Sequence, residues 1–112
     1  LELSKTDITS EGVRKLAKSR KLTNLRRLNI GHNSDIDGGA AIAIASSPQL
    51  AQLTHLNLAR TKLSEAGAEA LIESTTLHSI RHLNIGDAKL KPATVKTLQK
   101  RYPKAIKKDA YR

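Results

Sequence analysis

The sequence predicts an α/β solenoid, with short parallel strands on one side and helices on the other. Three observations predict it. One phrase is said three times, as Leu28-Asn29-Ile30, Leu56-Asn57-Leu58 and Leu83-Asn84-Ile85, and a looser copy, Leu1-Glu2-Leu3, opens the chain. The copies are spaced by 27, 28 and 27 residues, and self-similarity at such a period marks a repeat array. Two periodicities sit inside each unit. The Leu-x-Leu stretch alternates as a strand does, and Val13, Leu16, Ala17 or Ala68, Leu71, Ile72 form one apolar face of a helix. Strand then helix, repeated, gives parallel strands joined by right-handed crossovers. No unit can bury its own apolar face, so each must stack on its neighbours.

The units are expected at about 1–27, 28–55, 56–82 and 83–106, forming one repeat domain over 1–106. In the first, residues 1–8 make a strand and turn, Thr9 caps a helix, and the helix runs to about Ser19. In the second, Asp37 caps a helix over residues 39–47, and one extra residue between Asn33 and Ile36 accounts for the longer spacing. Ser64 caps the third helix. Such side chains satisfy the orphan N–H groups of a helix start. In the fourth, Lys91 stands at the cap and Pro92 follows at the first helical position, which tolerates proline. Gly12 and Gly67, with Ala40 between them, are small where a helix must approach the strand layer. After Leu98 the pattern stops. Tyr102 and Ile106 are placed to cover the open apolar edge, and residues 107–112 read as a polar tail.

The runs Leu25, Leu28, Ile30, Asn33, then Leu53, Leu56, Leu58, Thr61, then Ile80, Leu83, Ile85 resemble the leucine-rich repeat family. They look most like its ribonuclease-inhibitor-like subtype, over roughly residues 1–101. The resemblance implies a right-handed horseshoe, with the parallel sheet on its concave side and helices on its convex side. The family's ladder Asn stands only at Asn33; Thr6, Thr61 and Ala88 hold the other places. Thr can partly replace that amide and Ala88 cannot. Extracellular members often carry Cys-rich caps, and their absence here favours an intracellular setting.

The 112 residues contain no Met and no Cys, so there is neither a disulfide framework nor a Cys-based metal site. A chain opening on Leu in mid-motif reads as the last four units of a longer array, or an excised piece. No membrane-length apolar run or signal peptide occurs. The net charge is +10, from 20 basic and 10 acidic residues, a balance that invites nucleic acid or anionic surfaces. Base stacking needs aromatic rings, however, and Tyr102 and Tyr111 are the only ones. Glu69 with Lys96, and Glu73 with Lys100, are equivalent positions in adjacent units and should face each other across a helix seam. Ile42 occupies the outward position held by Arg14, Glu69 and Lys96 elsewhere, as an incidental exposed Ile or as a small contact patch.

With the Leu residues of Leu-x-Leu turned inward, the intervening residues face out, and strands about 4.8 Å apart align them in columns. The columns are Arg27, His55, His82; then Glu2, Asn29, Asn57, Asn84; then Ser4, Gly31, Ala59, Gly86; then Lys5, His32, Arg60, Asp87. The small third column would leave room for a partner. The Asn column either bonds amide to amide along the sheet or offers its amides to a partner. A His55–His82 pair could ligate metal, but no carboxylate or Cys aligns with it and Arg27 extends its column. There is no phosphate loop, no carboxylate pair beside a base and no nucleophile with an oriented His.

The expectation is therefore a monomeric, non-catalytic interaction module without cofactor or metal. It binds a protein partner through Arg27, Asn29, His55, Asn57, Arg60, His82 and Asn84. The alternatives are an electrostatic binder of nucleic acid or anionic membrane, and the regulatory part of a larger enzyme or GTPase regulator.

Overall fold

The computed structural model describes residues 1–103; the expected role of Ile106 and the tail at 107–112 lie outside the described residues. Strands β1 (Arg27–Asn29), β2 (His55–Asn57) and β3 (His82–Asn84) form a parallel sheet in the order β1-β2-β3. The register aligns Leu28 with Leu56 and Leu56 with Leu83. The expected fourth strand at residues 1–3 reduces to one parallel bridge, Glu2 to Asn29. It has a neighbour on one side alone, and the Leu3 N–H to Asn29 carbonyl bond of 2.8 Å holds it.

Helices α1 (Ser10–Ala17), α2 (Gly38–Ala45), α3 (Glu65–Glu73) and α4 (Pro92–Arg101) pack in a row, each on the next. The first two are shorter at the C-terminus than the sequence suggests, because single 3-10 turns at Arg20–Leu22 and Pro48–Leu50 follow them. Thr9, Asp37 and Ser64 cap their helices, accepting from the N–H of Gly12, Gly39 and Gly67. Lys91 makes no side-chain cap.

The same polar joints recur at successive seams. At the helix starts, the first residue of one helix meets the cap of the next. The Ser10 hydroxyl donates to the Asp37 carboxylate at 2.7 Å. The Glu65 carboxylate accepts from the Lys91 N–H at 2.9 Å and from the Thr94 hydroxyl. Between them, a Cβ on Gly38 would collide with the Ser64 hydroxyl, so this seam takes no side chain at all. Beyond the helix ends, the Ser47 and Ser74 hydroxyls donate to the carbonyls of Ala17 and Ala45. Gly67 is small for a reason other than the strand layer: a Cβ there would lie 2.7 Å from Leu63 and 3.0 Å from the Gly38 Cα on the neighbouring helix.

The core runs along the interior between sheet and helices. Leu28, Ile30, Leu56, Leu58, Ile44 and Leu71 are buried as expected. Leu16 is not; it is half-buried, like Leu3, Ile8, Leu22 and Leu25 of the same unit. Among the described residues the first unit is packed from one side, and its apolar face is partly open. At the other end Tyr102 is 4 % exposed, and its hydroxyl donates to the Leu71 carbonyl at 2.5 Å. Burial raises the Tyr102 phenol above its ordinary pKa. The Glu69–Lys96 and Glu73–Lys100 pairs do not form; among the described residues the one ion pair joins Arg60 to Asp87. These helix-face side chains are exposed, and solvated charges gain little by closing. Among the described residues, no helix is long and apolar enough to cross a membrane.

Candidate binding face on the sheet

The sheet register places Arg27, His55 and His82 in one row and Asn29, Asn57 and Asn84 in the next, as alternation requires. All six are half-buried or exposed while the leucines between them are buried. Their backbone is fixed by the ladder, so the side chains stand on a rigid base.

The Asn row does not form an amide ladder. Each side-chain oxygen instead accepts the backbone N–H two residues on: Gly31 to Asn29 at 2.9 Å, Ala59 to Asn57 at 2.8 Å, Gly86 to Asn84 at 2.9 Å. This is the Asx turn, in which a short amide imitates a backbone turn. It closes each strand. Glu2 performs the same task in the first unit, taking the Ser4 N–H at 2.9 Å, and its other oxygen accepts from the Asn29 amide at 2.9 Å. The Ser4 hydroxyl and N–H together hold the Glu2 carboxyl below its usual range. Among the described residues, the Nδ2 donors of Asn57 and Asn84 bond to nothing. Their amides are held through the oxygens.

At Gly31 the small row offers no room for a partner. Gly31 is buried, and a Cβ there would lie 3.0 Å from the Ala59 carbonyl and 3.0 Å from the Asn57 amide oxygen. Gly31 is small because the Asx turns and the adjoining backbone already fill the space beside it.

His55 and His82 stack, with ring centroids 4.3 Å apart and planes 23° from parallel. The Thr54 hydroxyl, 2.8 Å from the His55 Nδ1, also donates to the Arg26 carbonyl at 3.1 Å. It has one proton to give, so Nδ1 carries the ring proton and Nε2 is left as an acceptor. Desolvation, and then the charges of Arg27, His82 and Arg81, lowers the His55 pKa. The row is thus a neutral ring beside a fixed cation. Among the described residues, no group of three or more His, Cys, Asp or Glu is placed to hold a metal.

Arg60 and Asp87 meet at 3.1 Å at the strand exits, both more than half exposed. Lys5, His32, Arg60 and Asp87 share one unusual conformation, with φ between 56° and 62°. For a residue with a Cβ this left-handed region costs about 1–2 kcal/mol. Nothing in Lys5 or Arg60 signals it, while His and Asp enter this region more often than most types.

Sequence reasoning also missed a polar cleft at the strand starts. It has a volume of about 370 Å³ and is lined by Arg26, Thr54, His78 and Arg81, among others. It adjoins the Arg27–His55–His82 row along the chain. Arg26, Thr54 and Arg81 are equivalent positions one residue before that row, so extending the column reasoning by one place would have found it.

A search of curated proteins returns no match. A family model described as leucine-rich repeat matches residues 1–17, 21–45 and 51–71. That covers more than half of the chain, in segments that include the strand motifs of the first three units and most of their helices, and not the fourth unit. The chain belongs to the leucine-rich repeat family, whose repeats generally serve as protein-interaction modules.

Proposed function

We propose that the chain is a non-catalytic module that binds one protein partner through its sheet face. Arg27, Asn29, His55, Asn57, Arg60, His82 and Asn84 carry the contact. The observation that supports this most is the pair of side-chain amides on Asn57 and Asn84. Their oxygens are tied to the backbone and their Nδ2 donors are free among the described residues. Donors already held in place lose little freedom on binding. The stacked His55 and His82 beside them add ring surface, and Arg27 adds a cation.

In this reading the array is a ribonuclease-inhibitor-like right-handed horseshoe of four units over residues 1–106, with the sheet on its concave wall. It acts as a monomer inside the cell, without cofactor. The regular parallel stacking of like units supports the shape. The test is capture of partners from lysate with three proteins: the wild type, His55→Ala with Asn57→Ala, and Lys96→Glu with Lys100→Glu. The expected result is loss of the captured partner with the sheet-face pair alone. Loss with the helix-face pair, and full recovery with the sheet-face pair, would move the site to the helices and reject the proposal.

A second reading rests on the cluster Arg26, Arg27 and Arg81, which no carboxylate neutralises among the described residues. It makes this face an electrostatic binder of nucleic acid or anionic membrane. A steep fall of affinity with salt identifies it; a shallow one excludes it.

A further inference from the structure

The helix side carries a second surface, independent of the sheet face. A groove of about 530 Å³ runs between α1 and α2. Ile42 stands in it at 44 % exposure, one of two large apolar side chains so exposed among the described residues. Ala43 continues the apolar floor. Arg14, Lys18 and Arg20 line the groove, no acidic residue does, and none of the three cations forms an ion pair among the described residues. Gly39 belongs to this arrangement. A Cβ there would collide with the Arg14 guanidinium, so the glycine lets that cation lie across the start of α2.

The neighbouring seam differs. Along the helix row the outward positions read Arg14, Ile42, Glu69, and one turn further Lys18, Ser46, Glu73. The apolar site is thus flanked by cations on α1 and by carboxylates on α3. A ligand lying there gains on one side and is repelled on the other, which sets both its charge and its orientation.

We propose that the α1–α2 groove docks a short acidic segment of another protein, with one aliphatic side chain seated on Ile42 and its carboxylates turned toward Arg14, Lys18 and Arg20. Apolar contact supplies the anchor and the cations select the partner.

The test titrates 15N-labelled protein with a capped pentapeptide whose central leucine has two acidic residues on each side. The controls are the same peptide with serine at the centre, the peptide with lysines for its acids, and vesicles of phosphatidylserine with phosphatidylcholine. The protein variants are Ile42→Ser and Arg14→Glu with Lys18→Glu. All three positions are exposed, and thermal unfolding checks that each variant keeps its fold. The expected result is saturable shifts confined to α1 and α2. They weaken about tenfold with either variant or with the serine peptide, and the lysine peptide gives none. Three results would overturn the proposal: no saturable shift, equal binding of the leucine and serine peptides to the wild type, or binding to the vesicles without binding to the peptide. The peptide controls use wild-type protein, so the outcome does not depend on how a variant folds.

Discussion

The turn after β1 and the turn after β3 follow the same left-handed path, through His32 and Asp87, by different means. In the second unit Asn33 is 1 % exposed. It accepts from the N–H groups of Thr6 and Asp7 at 3.0 and 2.9 Å, and donates to the carbonyls of Leu3, Ile30 and Gly31. In the fourth unit Ala88 has no side-chain bond, yet its N–H still reaches the Ile85 carbonyl at 3.0 Å. The helices that follow differ likewise. Asp37 caps α2 with its own carboxylate, whereas α4 depends on Glu65 of the preceding unit. The turn's own backbone bond is therefore enough to shape it. The side chains decide how firmly each unit is tied, and from which side.

The largest blow to both units together is Leu56→Ala, which empties the core between β1 and β3. It should cost about 2–5 kcal/mol, measured by equilibrium denaturation; a curve matching the wild type would break the picture of one shared core. Next is Asn33→Ala, which takes the acceptor from the N–H groups of Thr6 and Asp7 and the amide donor from the Ile30 and Gly31 carbonyls, while the Leu3 carbonyl keeps the Thr6 hydroxyl. A loss of about 2 kcal/mol is expected. A loss no larger than that of Thr61→Ala would show that the second unit is not held in a special way.

Ala88→Asn sharpens the same contrast from the other side. It should stabilise by about 1 kcal/mol or less, because the Lys62 N–H, one of the donors it would seek, already bonds the Ile36 carbonyl at 2.7 Å. A gain matching the Asn33 loss would mean the two turns are equivalent. The smallest effect is local. The Thr94 hydroxyl, then the Lys91 N–H, hold the Glu65 carboxyl below its ordinary value of 4.5. A group whose pKa is depressed by folding stabilises above its unfolded value, and that contribution is lost as pH falls through the folded one. Protection of α4 amides against hydrogen exchange should therefore fade in acid. Glu65→Gln should flatten that dependence in α4 while α2, capped by Asp37, keeps its own. An unchanged profile for α4 would remove Glu65 from the cap.

Much of this was legible because it is local. Alternation at Leu28-Asn29-Ile30 gives the inward and outward rows, and Thr9, Asp37 and Ser64 lie where a cap must lie. Tyr102 is expected to be buried where the pattern breaks, and it is, bonded back to Leu71 of the preceding unit. What escaped depends on neighbours. Leu16 has the spacing of a core residue, but burial there requires a unit beyond it. Glu65 looks like any first-turn acid, and its partners lie 26 and 29 residues on. The Asx turns could have been read, since Asn29 and Asn84 each stand two residues before a Gly. The left-handed exits at Lys5 and Arg60 could not: those types have no taste for that conformation, whereas His32 and Asp87 are of types that enter it more often.

Those exits have an evolutionary corollary. Lys5, His32, Arg60 and Asp87 put a long cation, an aromatic base, a guanidinium and an acid on the same bent backbone. The geometry does not ask for any of them, so the position is a socket whose fitting is free to change. New specificity can be tried there one residue at a time, at a rim beside the sheet face, while the leucines beneath keep the architecture.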